Sequence, residues 1–327
     1  MKGEFERGAK TLADWAYVAI EKHFQKILQH EAGVLRDEDP EELHQMRVGT
    51  RRLRATLTGF APALELSKAT RPERVGKIAR VLGQLRDLDV LKEALTTHYE
   101  TVLPKKEQKS LKEALKVLES RRERIFEEVS TLLKSPSYDT FVRGFKNWLE
   151  KPTYQPIGHL AIEIVLPDLL LPQSSRFLLH EGWSIGVNLT GEENEIDRTP
   201  EAIDRLLEKE GILLHELRKE AKRSRYNMEL FTRFYGGQYK KHLEEIKKIQ
   251  EILGEIQDCH ILSEFLAGVF PKSLAREMPT LLEIFQKNRY QKWLEWRPLQ
   301  RKYLDANTRK SLHEAILYPV FDKTEIN

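Results

Sequence analysis

Hydrophobic residues recur every three or four positions through most of the chain, and this pattern predicts amphipathic α-helices. Prolines and glycines interrupt the pattern and mark where helices begin and end. Up to residue 150 it predicts four helices, over residues 11–31, about 38–66, 72–97 and about 106–149. We therefore expect the first part of the chain, residues 1–150, to form a four-helix unit.

The later part of the chain repeats the helical spacing after a segment of different composition. Residues 151–200 are rich in proline and glycine, and they predict a helix over 157–171 and an exposed loop or short hairpin over 180–198. Further helices are predicted over about 199–235, 240–269, 279–296 and 306–317. Residues 151–200 would thus connect the halves and open the second one, residues 201–327 would complete it, and the fold class is all-α.

The helix predicted around residues 42–60 has an unusual distribution of charge. It carries four arginines, and no aspartate or glutamate occurs between Glu42 and Glu65 to neutralise them. With about 100° per residue, Arg47, Arg51 and Arg54 fall within about 60° of one another around the helix axis. The helix is predicted to bury the opposite, apolar face and to expose these basic residues: His44, Arg47, Arg51, Arg52 and Arg54.

The same arrangement occurs again 171 positions later. The pairs are His44 with His215, Arg47 with Arg218, Arg51 with Lys222, Arg52 with Arg223, and Arg54 with Arg225. The match continues without a gap over about 50 residues, which is too long a period for a solenoid repeat. We interpret it as an internal duplication in which each copy is a bundle of several helices.

Composition narrows the possible functions. The 54 basic and 51 acidic residues leave a net charge of only +3, so binding of a polyanion would depend on local clustering. A single cysteine, Cys259, excludes an internal disulfide and a cysteine metal cage, and it fits a reducing compartment. The first ten residues lack the apolar core of a signal peptide, and the most apolar stretch, 160–171, is interrupted by charge and proline. We expect a soluble, cytoplasmic protein that does not enter a membrane.

A row of arginines suits phosphate, because the planar guanidinium donates two parallel hydrogen bonds and keeps its charge. A row along a helix fits several phosphates in line better than one. Other basic residues would extend this surface if their helices are neighbours: Lys77 and Arg80 in the first copy, and Lys241 and Lys248 in the second. The alternative is a solvated face of ion pairs, but Glu216 and Glu220 project away from Arg218, Lys222 and Arg225, which are predicted to be unpaired.

The two histidines allow several interpretations. Neither is followed three or four residues later on its face by a second histidine, cysteine or carboxylate, so a metal site is not favoured. A phosphate-accepting or general-base histidine is a second possibility, and a hydrogen-bonding, pH-tuned member of an anion site or a packing residue at its edge is a third. Gly83 and Gly254 share one register and indicate a close helix crossing, while Asp87 and Asp258 are expected to brace an arginine on an adjacent helix.

Two motifs carry a family resemblance. Residues 44–54 read H-Q-M-R-V-G-T-R-R-L-R, and residues 82–91 read L-G-Q-L-R-D-L-D-V-L. Together they resemble the CHAD domain, the conserved histidine α-helical domain, over about residues 10–317. The second copy departs from the charged residues of the first: Lys222 stands in place of Arg51, Gln257 in place of Arg86, and His260 in place of Asp89.

The resemblance implies two four-helix bundles related by a pseudo-twofold axis, with basic residues facing a shared groove or pore. It also implies binding of inorganic polyphosphate without catalysis or cofactor, and association with polyphosphate granules. Nucleic acid and phosphorylated proteins are alternative partners, and a histidine-dependent phosphatase or phosphotransferase is a further alternative. Nucleic acid is less favoured, because the basic rows lack interleaved aromatic residues for base stacking and the pI is a modest 8.7.

Overall fold

The computed structural model describes residues 9–187 and 199–320. These residues form α-helices, short 3₁₀ segments and one π-helical turn, so the prediction of an all-α fold is confirmed. Among the described helices, none is both long and apolar enough to span a bilayer. The chain divides into two compact units. Unit 1 comprises Met1–Thr101 and Leu115–Val165, and unit 2 comprises Val102–Ala114 and Leu166–Asn327.

Five helices occupy the chain up to residue 150: α1 Leu12–Arg36, α2 Pro40–Gly59, α3 Pro72–Ala94, α4 Lys105–Leu133 and α5 Pro136–Glu150. Helix α1 begins with a capping box in which Thr11 and Asp14 bind each other's backbone N–H groups. Helices α2, α3 and α5 each begin at a proline, which needs no hydrogen bond to its nitrogen there. Helix α2 ends at Gly59, earlier than predicted, since Pro62 lies in a 3₁₀ turn that follows it.

The apolar face predicted for α2 is buried against α1. Met46, Leu53 and Leu57 are all fully buried. A Cβ atom at Gly49 would lie 3.1 Å from the Ile27 side chain, so the two helices approach closely at this glycine. This packing fixes which side of α2 remains for its basic residues.

Arg122 on α4 holds three parts of unit 1 together. Its guanidinium donates two hydrogen bonds to Asp37, which follows α1, with distances of 2.7 and 2.6 Å. Its Nε donates to Asp89 on α3 over 2.7 Å. The paired carboxylates raise the pKa of Arg122, despite its partial burial. Asp89, in the motif of residues 82–91, therefore has a structural partner, and Asp87 is the carboxylate left near the basic row.

Six helices follow: α6 Ile162–Leu178, α7 Pro200–Phe231, α8 Gly237–Val269, α9 Leu274–Glu277, α10 Pro279–Leu304 and α11 Ala306–Leu317. Helix α10 continues through Pro298 to Leu304, beyond the predicted end at Trp296. The continuation is held by packing, because Gln300 and Tyr303 are fully buried.

The segment after α6 packs into the core of unit 2, so its prediction as an exposed loop is wrong for the buried residues Gly182, Trp183 and Ile185. The indole of Trp183 stacks on Trp296 at 5.1 Å and on Tyr303 at 5.6 Å. Buried Gln300 donates to the carbonyls of Trp183 and Ile185, both over 2.8 Å. These partners are more than 100 residues away in sequence, which is why local composition misses them. Residues 188–198 of the predicted loop lie outside the described residues.

The first residues of α4 belong to unit 2 for a physical reason. The buried carboxylate of Glu107 accepts hydrogen bonds from the backbone N–H groups of Thr280 and Leu281, both over 3.1 Å. Glu107 thus caps the N-terminus of α10, where unsatisfied N–H groups favour a negative charge. The division into 1–150, 151–200 and 201–327 stays a prediction. It is based on the internal duplication of the sequence, whereas the two units are defined by their compactness.

Candidate functional site

Helices α2 and α3 pair antiparallel through arginines that lie on glycines. A Cβ atom at Gly83 would lie 2.6 Å from Nη1 of Arg47, and one at Gly76 would lie 3.4 Å from Nε and Cζ of Arg54. The arginines are seven residues apart on α2, and the glycines are seven apart on α3, in the opposite order. A close helix crossing is predicted at Gly83, and what the glycine makes room for there is the end of an arginine side chain of α2.

Asp87 holds the end of the Arg47 side chain. Nη2 of Arg47 lies 3.4 Å from Oδ1 of Asp87, one helical turn beyond Gly83. This confirms for Asp87 the prediction that it braces an arginine of an adjacent helix. The carboxylate is 70% exposed and the arginine 26%, so the pair contributes little to stability. Its main effect is to orient Arg47.

His44 stands in the same row as these arginines. Burial lowers the pKa of His44 most; Glu41 raises it, and the charges of Arg86, Arg51 and Arg47 lower it further. The imidazole is therefore neutral at pH 7, amid three guanidinium groups. Arg86 was not among the predicted site residues, although it lies in the quoted motif; its position three residues after Gly83, on the same helix face, is the signal that could have found it.

Unit 2 repeats the contact between an arginine and a helix glycine. A Cβ atom at Gly254 on α8 would lie 3.1 Å from Nε and 3.4 Å from Nη2 of Arg218 on α7. Nε of Arg218 is buried and has no hydrogen-bond partner among the described residues. The pKa of His215 is lowered, mainly by burial and then by the charges of Lys219 and Arg218. A neutral histidine thus lies close to an arginine that rests on a glycine in this unit too.

Ion pairs form within α7. Glu216 pairs with Lys219, and Glu220 pairs with Arg223. The charge of Arg223 is therefore partly neutralised by its own helix, although its side chain is 59% exposed. Arg223 is the weakest of the site residues predicted in the second copy.

The prediction that Arg225 is unpaired is wrong. Its Nη1 lies 3.7 Å from Oε1 of Glu229, one turn further along α7, and its guanidinium lies over the ring of Tyr226 at 4.6 Å. The position that corresponds to Gly76 holds Lys247, which pairs with Glu244 at 3.6 Å. Lysine thus stands in unit 2 where unit 1 has Gly76, and Arg225 there contacts Glu229.

The remaining predicted site residues differ in exposure. Arg51 and Lys222 are half-buried, whereas six others are exposed: Arg52, Arg54, Lys77, Arg80, Lys241 and Lys248. Arg52 faces α1, since burial and then the charge of Arg52 lower the pKa of His23 on that helix to about 4. Arg52 is thus directed away from the row that contains Arg47 and Arg54. Within 9–187 and 199–320, no group of three His, Cys, Asp or Glu side chains could hold a metal ion.

Burial and the neighbouring cations lower the pKa of both histidines, and this leads to a testable pH dependence. A polyanion bound in the row stabilises the imidazolium and raises its pKa, so affinity is expected to rise as pH falls. We expect about tenfold tighter binding at pH 5.5 than at pH 7.5, within the range of a pKa shift of about one unit. The His44→Gln/His215→Gln variant should lose this increment and keep its affinity at pH 7.5. An identical pH profile in the variant would contradict the placement of the histidines at the site.

Comparisons with known proteins agree with this architecture. The CHAD domain model matches residues 18–267. A comparison with curated proteins gives no match. Among solved structures, the CHAD domain from the plant Ricinus communis is 21% identical, with a TM-score of 0.59 over 95% of this chain and 94% of that one. PptA from Streptomyces chartreusis is 14% identical, with a TM-score of 0.60 over 90% of this chain and 99% of that one. These structures share the fold; because the family model covers most of the sequence, the chain belongs to the CHAD domain family.

Proposed function

We propose that the chain binds inorganic polyphosphate without hydrolysing or transferring it, through the basic residues of α2 and α3 in unit 1 and of α7 and α8 in unit 2. The observation that carries the proposal is the pairing of Arg47 with Gly83 and of Arg218 with Gly254. In each unit the arginine lies close to a histidine whose pKa is lowered. Further cations follow along the same helices.

A linear polyanion suits this arrangement better than a single phosphate. In unit 1, Arg47 and Arg54 lie two turns apart on α2, about 10 Å along the helix axis. Lys77 and Arg80 on α3 are exposed and add charge beside the row. Each phosphate of a chain can therefore meet a different cation, whereas orthophosphate could meet only one or two.

The recurrence of the arginine–glycine contact at the same register supports an internal duplication. The contact recurs although neighbouring positions differ: Lys247 corresponds to Gly76, Lys222 to Arg51 and Gln257 to Arg86. The pseudo-twofold arrangement and the basic groove or pore remain predictions from the family resemblance. Association with polyphosphate granules would follow from binding of long chains.

Binding without catalysis is proposed because the groups around each histidine hold an anion. The charges that lower the pKa of His44 come from three arginines, and such a setting disfavours the protonated histidine of a general acid. Glu41, which raises that pKa, is exposed on the first turn of α2 and opposes the arginines only in part. The same set of cations lowers the charge repulsion of a bound phosphate chain.

Titration with three matched anions tests the proposal. Long-chain polyphosphate, orthophosphate, and single-stranded RNA of the same total charge are each titrated into the protein at low and at physiological salt. We expect polyphosphate to bind at least about tenfold more tightly than RNA, a difference of about 1.4 kcal/mol, with orthophosphate weaker still. Equal affinity for RNA would indicate a generic polyanion site, and release of phosphate from the polymer would refute the proposal of a non-catalytic module.

A further inference from the structure

We infer that Gly83 and Gly254 are positioning residues of the binding site: each leaves a helix surface bare so that one arginine guanidinium rests against it, aligned before the ligand arrives. The inference rests on the proposed function and assigns these glycines a part in it. It differs from a packing role because the atoms that fill the space above each glycine belong to the arginine guanidinium.

In unit 1 the space above Gly83 cannot hold both a Cβ atom and the guanidinium of Arg47. A Cβ atom would lie 2.6 Å from Nη1 of Arg47, a separation that non-bonded atoms do not adopt, and the next nearest atom is Cζ of the same residue. Alanine would therefore displace the guanidinium and leave both helix backbones in place. Arg47 would also lose its alignment with Asp87, which now lies 3.4 Å away.

Unit 2 provides an independent instance. Nε, Nη2 and Cζ of Arg218 would lie 3.1, 3.4 and 3.6 Å from a Cβ atom at Gly254, so the guanidinium lies flat across the helix. Nε of Arg218 has no hydrogen-bond partner in the described part of the chain. The guanidinium therefore rests against the bare helix surface without a hydrogen bond at Nε.

The chain also contains a natural comparison. Arg54 lies over Gly76, but at the corresponding place in unit 2 Lys247 replaces the glycine. There Arg225 is turned to Glu229 and to the ring of Tyr226. Where the glycine is absent, the arginine takes partners on its own helix, as expected if the glycine determines the direction of the side chain.

Glycine in a helix interior needs such a reason, because it is among the least favourable residues there. An arginine has many rotamers, and ordering it when a ligand binds opposes association. An arginine that already lies aligned loses less freedom on binding. The two glycines would thus contribute affinity without touching the ligand.

Replacement by alanine separates this role from a structural one. Gly83→Ala and Gly254→Ala are each expected to weaken polyphosphate binding about three- to tenfold, the range for the ordering of one long side chain. Their thermal midpoints should be unchanged or higher, since alanine favours the helix and the only clash is with the end of a flexible side chain. Gly268→Ala is the matched control on α8, because nothing lies within 4 Å of its Cβ position.

A double-mutant cycle identifies the arginine as the intermediary. Gly83→Ala should have no effect on binding in an Arg47→Ala background, and 15N relaxation of the Arg47 Nε–H should show a more mobile side chain in Gly83→Ala than in the wild type. The inference is overturned if Gly83→Ala binds as the wild type does, if its effect persists without Arg47, or if the relaxation of Arg47 is unchanged. A wild-type protein that binds no polyphosphate would refute the proposed function, and the relaxation data would still decide whether Gly83 orders Arg47.

Discussion

Simultaneous replacement of Arg47, Arg51 and Arg218 by glutamate is expected to abolish polyphosphate binding in a protein that stays folded. Each change removes a cation from the site and adds an anion that repels the ligand. Several charge-assisted contacts are lost together, so affinity should fall by more than about a hundredfold at low salt. Isothermal titration calorimetry measures the affinity, and circular dichroism with thermal unfolding shows whether the variant is folded.

The matched control places the same charge change elsewhere. Lys134, Arg143 and Lys146 are exposed basic residues at the end of α4 and on α5, outside the two rows. Their replacement by glutamate lowers the net charge equally, so it should reduce affinity only slightly through the overall field of the protein. If both triple variants lose affinity to the same extent, net charge and not the two rows carries binding. If the triple variant at Arg47, Arg51 and Arg218 is folded and still binds tightly, the assignment of the site is refuted.

Much of the fold follows from the sequence because helices are local. The apolar spacing in α2 predicts that Met46, Leu53 and Leu57 are buried, and all three are. The starts of α2, α3 and α7 coincide with prolines, whose fixed backbone angle suits a first turn. Such signals need no knowledge of the partner helix, and for that reason single-sequence patterns suffice.

Most of the errors concern contacts between distant residues. Trp183 is buried by Trp296 and Tyr303, and Glu107 caps a helix that begins more than 170 residues later. A glycine-rich segment looks exposed when these partners are unknown. Arg225 is a different case, because Glu229 lies only four residues away and the sequence does show it. That pair could have been predicted.

Gly83 and Gly254 show most clearly what must be known beyond the sequence, namely which residues face each other across two paired helices. The shared offset predicts that Gly83 and Gly254 have a common role, but what lies on them depends on how α3 pairs with α2 and how α8 pairs with α7. Once the pairing is known, Arg47 and Arg218 occupy the space. The roles of the two neighbouring carboxylates also depend on helix pairing. Asp87 contacts Arg47 in the basic row, while Asp89 binds Arg122 in the interior of unit 1.

Affinity for polyphosphate is expected to fall steeply with salt, because cations held on the polymer are released when the protein neutralises its charges. If about five phosphates are neutralised, a slope near that of single-stranded polyanions gives a loss of about a hundredfold between about 50 and 200 mM salt. Anisotropy titrations at several salt concentrations measure the slope. Orthophosphate should show a much shallower dependence, since it releases few ions.

The slope also distinguishes residues that contact phosphate from those that do not. Removal of one contacting cation should reduce the slope by about one unit. We expect this for Arg47→Ala and Lys77→Ala, whereas Arg52→Ala should leave the slope unchanged, since Arg52 lies on the side of α2 that faces His23. Arg223→Ala is also expected to have little effect, because Glu220 pairs with that side chain and partly neutralises its charge. Equal slopes for all four variants would mean that the cations act only through their summed field; the row along α2 would then not be a binding site for a linear chain.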